Sequence, residues 1–176
     1  MSDYMQQINN PLGALAQHGQ PLTTDELAVR LARAGRDYGP ALLSAAWQQQ
    51  YIDQAVLAAH VGDVWSGAEY PDRMLERDEW RALFAAAGYT VNGRPAPRPD
   101  GPLELWRGSV PERARDWSWT ATRRIAEGYA AGTAARRPEG RLYRTVAPPE
   151  ALLCHNTGRD EDEYVIDTSQ LTITAV

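Results

Sequence analysis

Glu161 and Glu163 stand two positions apart at the end of an acidic run, Asp160-Glu161-Asp162-Glu163, which gives way to Tyr164-Val165-Ile166. An aromatic residue followed by a β-branched pair favours a strand. If Glu163 opens that strand, the two-residue period turns Glu161 and Glu163 to the same side. Carboxylates held side by side repel, and the proton affinity of one of them rises. A fold tolerates that cost more readily where the pair has work to do. A solvated acidic turn before an edge strand accounts for the same residues without chemistry.

Upstream, Trp106-Arg107-Gly108 closes a short apolar run, and Ser118-Trp119-Thr120 follows soon after. All 18 basic residues are arginine, so a phosphate-loop lysine, a Schiff base and a lysine general base are excluded. Arginine is then the only strong cation for a phosphate, a role its planar fork suits. Cys154 is the only cysteine, and His18, His60 and His155 lie far apart in the chain, so neither an intrachain disulfide nor a metal-ligand spacing is present. No Gly-x-Gly-x-x-Gly joins a strand to a helix, which argues against a Rossmann dinucleotide site.

Arginine at one strand, Ser-x-Thr at the next and Glu-x-Glu at a later one, in that order, resembles the Arg-Ser-Glu class of mono-ADP-ribosyltransferases. The resemblance spans Leu103 to Ile166 and suits a small phage- or toxin-type effector. It implies NAD as substrate and a macromolecular acceptor, with protein arginine as one candidate and no indication of nucleic acid. Under it, Glu163 bonds the ribose 2′-hydroxyl and stabilises the oxocarbenium ion, while Glu161 orients or deprotonates the acceptor. Ser118 holds the catalytic glutamate through its hydroxyl, and Thr120 supports the same strand. Arg107 reaches the phosphates or the ribose beside them, the Gly108 backbone meets the nicotinamide carboxamide, and Tyr129 stacks on the nicotinamide ring. One departure is the short spacing: the family inserts a helical segment between the first two motif strands, whereas here the helices precede them.

Each of these residues also has a plain structural reading. Arg107 can pair with Glu104 or Glu112 at the surface, Gly108 can be a turn glycine, and Trp119 and Tyr129 can be core. Asp160 and Asp162 read as solvated, and nothing in the sequence pairs His155 with Cys154 as a dyad. Two other functions stand beside transfer: an NAD glycohydrolase in which water is the acceptor, and a binding module that keeps the fold without catalysis.

The elements that must position these residues are legible from periodicity. A polar arm over 1–21 has no sustained period. Thr23 with Glu26 forms a capping-box signature, with Leu27, Leu31 and Ala34 along one helical face. Gly35 and Gly39 end that helix. A second helix is expected over 40–59, a break over 61–71 anchored by Trp65 and Tyr70, and a third helix up to Ala87 with Gly88 as its stop. Asn92-Gly93 is a turn signal, and 94–102 is proline-rich. Beyond Pro102 the period becomes that of strands, with one short helix from Arg123. Leu142, Arg144 and Val146 alternate with Tyr143 and Thr145, and Leu103, Leu142, Val146 and Val165 are expected in the core.

Helices first and strands later indicate an α+β fold: a helical part, 22–93, packed as one integrated unit on an ADP-ribosyltransferase-like two-sheet β core, 102–176. A net charge of −5 does not suit coating nucleic acid or an anionic membrane. No signal peptide, membrane span or metal site is read, so a cytoplasmic protein is expected.

Overall fold

The computed structural model describes residues 20–73, 75–133, 138–158 and 162–176. Nearly all of the polar arm, Asp160 and Glu161 lie outside the described residues. The chain divides between Pro95 and Ala96 into two compact units.

In the first unit, helix α1 (Thr24–Gln48) begins with the capping box read from sequence. Thr23 Oγ1 accepts from the Glu26 amide at 3.3 Å, and Glu26 Oε2 accepts from the Thr23 amide at 2.9 Å. Gly35, at φ 71 and ψ −173, breaks the helix before Pro40, so the proline does not interrupt a regular ladder, whereas Gly39, expected to end the helix with it, lies buried inside the continuation. The continuation stops at Gln48, and Asp53 caps a new helix, α2 (Gln54–Gly67), by accepting from the Val56 amide at 2.9 Å. The expected helix over 40–59 and break over 61–71 are therefore corrected. Helix α2 buries Val56, Leu57, Ala58, Val61, Gly62 and Trp65, and further apolar residues outside that set, Ala55, Ala59 and Val64, blur its amphipathic period.

Helix α3 (Arg77–Ala87) ends at Gly88, as expected. Trp65 and Trp80 meet edge to face at 5.1 Å, a favoured aromatic geometry, and Trp80 Nε1 donates to the Pro71 carbonyl at 2.9 Å. Tyr70, expected as an anchor beside Trp65, is instead exposed. Asn92 and Gly93, at φ 50 and 71, form the turn of a small hairpin, β1 (Thr90–Val91) with β2 (Arg94–Pro95).

Among the described residues the second unit is an antiparallel sheet with one α-helix. Its strands are β3 (Leu103–Ser109), β4 (Ser118–Thr120), β5 (Arg141–Ala147), β6 (Leu152–Asn156), β7 (Glu163–Ile166) and β8 (Thr174–Ala175), with helix α4 (Arg123–Ala130) after β4. Their order in space is β6-β7-β4-β3-β5-β8. The chain is thus α+β, but the expected second sheet is absent among the described strands. Strand β5 pairs with β3 along its whole length, from Leu103 opposite Ala147 to Ser109 opposite Arg141, and so extends the same layer.

That pairing also reverses the expected face of β5. Tyr143, Thr145 and Ala147 are buried, Leu103 and Leu142 are half-buried, and Val146 is 51% exposed. Both faces of β5 alternate equally well in sequence; the register, which sets Thr145 opposite the buried Leu105, selects the inner one. Val165 is fully buried, as expected. Among the described residues no helix is long and apolar enough to cross a membrane.

Candidate functional site

The three motif strands are hydrogen-bonded neighbours. Strand β4 lies between β3 and β7, with Thr120 opposite Trp106 on one side and opposite Glu163 on the other. Glu163 is in turn opposite Asn156 on β6. Residues directly opposite in an antiparallel ladder share a face, so Asn156, Glu163, Thr120, Trp106 and Arg144 form one row across the sheet. Glu163 is 9% exposed within this row, between Thr120 and Asn156. Ser118 lies on the same face but stands opposite Val165, diagonal to Glu163. Thr120, rather than Ser118, is therefore the hydroxyl residue facing the carboxylate, and Thr120 Oγ1 also accepts from the Thr122 amide at 3.1 Å.

Arg107 points the other way. It alternates with Trp106 and stands opposite Tyr143, so its side chain leaves the face opposite to Ser118, Thr120 and Glu163. Its guanidinium closes the connection between β3 and β4: Nε donates to the Arg113 carbonyl at 3.0 Å, Nη1 to the Ser118 carbonyl at 2.6 Å, and Nη2 to Asp116 Oδ2 at 3.1 Å. The ion pair is with Asp116, not with Glu104 or Glu112, and the Arg107 side chain is only 10% exposed. Asp116 also binds Arg113 Nε at 2.6 Å. The short spacing between Arg107 and Ser118 is thus bridged by the arginine itself.

Gly108 is explained by packing. A Cβ there would come within 3.0 Å of Ala126 O, Ala130 N and Tyr129 C, all backbone atoms of α4. The helix therefore lies directly on β3, on the same face as Trp106 and Glu163. Tyr129 is half-buried on α4 with its backbone against Gly108, while Ala126 is the buried residue of the helix. Arg123 stands 4.9 Å from the Trp106 ring centroid and Arg144 stands 6.0 Å from it. Both guanidinium groups are near the surface, paired with Glu127 and Glu104 respectively.

The opposite face holds an arrangement that sequence reasoning missed. His155 Nε2 lies 2.6 Å from Asp162 Oδ1, and the ring stacks on Tyr164 at 4.0 Å with 8° between planes. Thr122 Oγ1 donates to Asp162 Oδ2 at 3.4 Å. Asp162 is therefore a bonded residue rather than a solvated one, and it adopts φ 43. Burial, and then the nearby Asp162 charge, raise the Tyr164 phenol above its ordinary value. The signal for this cluster was the β6–β7 hairpin, whose register sets His155 opposite Tyr164. The acidic run in the sequence did not reveal that register.

No group of histidine, cysteine and acidic residues among the described residues is arranged to hold a metal ion. Compared with protein-family models, curated proteins and solved structures, the chain matches none.

Proposed function

We propose that the second unit cleaves NAD and transfers ADP-ribose to a macromolecular acceptor, most simply a protein side chain such as arginine. One observation supports this reading above the others: the strands bearing Arg107-Gly108, Ser118-Trp119-Thr120 and Glu163 are adjacent in one sheet, with Thr120 opposite Glu163 across a long separation in the chain. Breaking the bond between nicotinamide and ribose builds positive charge on the sugar, and a fixed carboxylate in a largely dry setting stabilises it. Glu163 takes that role. Arg107 is committed to the β3–β4 connection, so the pyrophosphate falls to Arg123, which lies on the Glu163 side of the sheet beside Trp106. Its exposed pair with Glu127 is the weak kind that a phosphate displaces. A cytoplasmic setting, where NAD is at hand, belongs to the same reading.

The test is nicotinamide release from NAD measured beside incorporation of label from NAD into protein, for wild type and Glu163→Gln. Release that is lost in Glu163→Gln supports the reading, and release without incorporation narrows it to NAD hydrolysis. The near-complete burial of Glu163 and the commitment of Arg107 favour a second reading, a binding module without catalysis. Wild-type protein that neither binds NAD nor releases nicotinamide, with candidate acceptors present, overturns the ADP-ribosyl reading and favours that alternative.

A further inference from the structure

We propose that His155 is a positioning residue for Glu163, holding both of its chain neighbours at once. Asp162, immediately before Glu163, is held through Nε2 at 2.6 Å; Tyr164, immediately after it, is held by parallel stacking at 4.0 Å. The second oxygen of Asp162 accepts from Thr122, so this carboxylate is fixed from β6 and from the turn that precedes α4. Asp162 stands in the left-handed region at φ 43, which aspartate tolerates better than most residues, and these two bonds fix its side chain there. Glu163 projects to the opposite face from His155, because it pairs with Asn156 while Tyr164 pairs with His155. His155 therefore acts through the backbone on either side of Glu163 and does not touch what Glu163 touches. The side chain of His155 is only 16% exposed, and Nδ1 remains as the ring's second nitrogen.

The activity readout of this inference rests on the ADP-ribosyl reading of Glu163; its structural readout does not. His155→Ala, His155→Gln and Asp162→Gly are compared with wild type in the full chain. The measurements are kcat and KM for nicotinamide release, thermal unfolding, and the side-chain carboxyl carbon resonance of Glu163, assigned by its loss in Glu163→Gln. His155→Ala is expected to lower kcat roughly ten- to a hundredfold with KM within about twofold, because a misplaced group loses rate before binding. In His155→Gln the amide nitrogen takes the place of Nε2 and restores the Asp162 bond but not the stacking on Tyr164, so the rate returns in part, above that of His155→Ala. Asp162→Gly relieves the left-handed backbone, so it retains stability, yet it removes the bond and loses kcat as His155→Ala does. Should His155→Ala not fold, Asp162→Gly provides the same comparison.

Wild-type rates in both variants overturn the inference. If wild type releases no nicotinamide, the ADP-ribosyl reading falls and the resonance decides the clamp by itself. A shifted or broadened Glu163 signal in Asp162→Gly sustains the clamp, and an unchanged one overturns it.

Discussion

Replacing Arg107 with alanine separates a ligand-binding arginine from one that builds the unit. The guanidinium makes three hydrogen bonds within the β3–β4 connection, two to carbonyls and one to Asp116, with 10% of the side chain exposed. Breaking a buried ion pair by removing one partner is typically worth about 3–5 kcal/mol. Here Asp116 keeps Arg113, so its charge is not stranded, and the lower end, about 3 kcal/mol, is the expected loss. For a unit of this size that corresponds to a fall in Tm of roughly 12–24 °C. Arg107→Lys should recover little, because an ammonium on a flexible stem cannot serve three acceptors in different directions. The assay is thermal unfolding followed by circular dichroism, alongside NAD titration by calorimetry. A Tm within about 3 °C of wild type, with NAD affinity weakened, would refute the reasoning and return Arg107 to the ligand, since surface substitutions away from such networks shift stability only slightly.

Three further outcomes follow from the same geometry. Gly108→Ala should destabilise the second unit by about 3 kcal/mol, the upper part of the overpacking range, since only backbone can give way; Gly101→Ala, with open space around it, is the neutral control in the same melting experiment. Glu163→Gln should lower kcat for nicotinamide release by about two to three decades with little change in KM, whereas Arg123→Ala should raise KM more than it lowers kcat. The raised Tyr164 pKa makes the folded state hold its phenol proton longer than the unfolded chain does. Its contribution to stability is full below the ordinary value of 10.0 and is lost as pH rises through the folded value, so denaturant unfolding should show a steeper alkaline decline for wild type than for Tyr164→Phe.

Local signals proved legible wherever a short-range rule acts alone. The Thr23–Glu26 capping box, the Gly88 stop and the Asn92-Gly93 turn each depend on residues within a few positions. Helix α2 was hidden because apolar residues outside its buried set, Ala55, Ala59 and Val64, leave no clear polar face to mark the period. For β5 the period was plain but the inward face was not, because only pairing with β3 decides between Tyr143 and Val146. At the candidate site, sequence pointed to Ser118, Thr120 and Glu163, which share a face, and to Arg107, which does not. Alternation along β3 separates Arg107 from Trp106, but which face meets Glu163 depends on a register set between distant strands. The partners of His155 were hidden for the same reason, since they are reached across a hairpin.

The placement of β7 beside β4 bears on the order in which the second unit can assemble. The β6–β7 hairpin joins residues close in the chain, as when Asn156 meets Glu163, and β3 reaches β4 across a short connection that Arg107 draws together. The seam between those pieces, Thr120 against Glu163, closes a far longer loop, and closing it loses chain entropy before any contact is returned. Both hairpins can therefore be complete while Glu163 still lacks Thr120 as its neighbour. Substitutions along that seam should act on the rate of folding, and a chain with most of its secondary structure in place need not yet possess the face on which Glu163 sits.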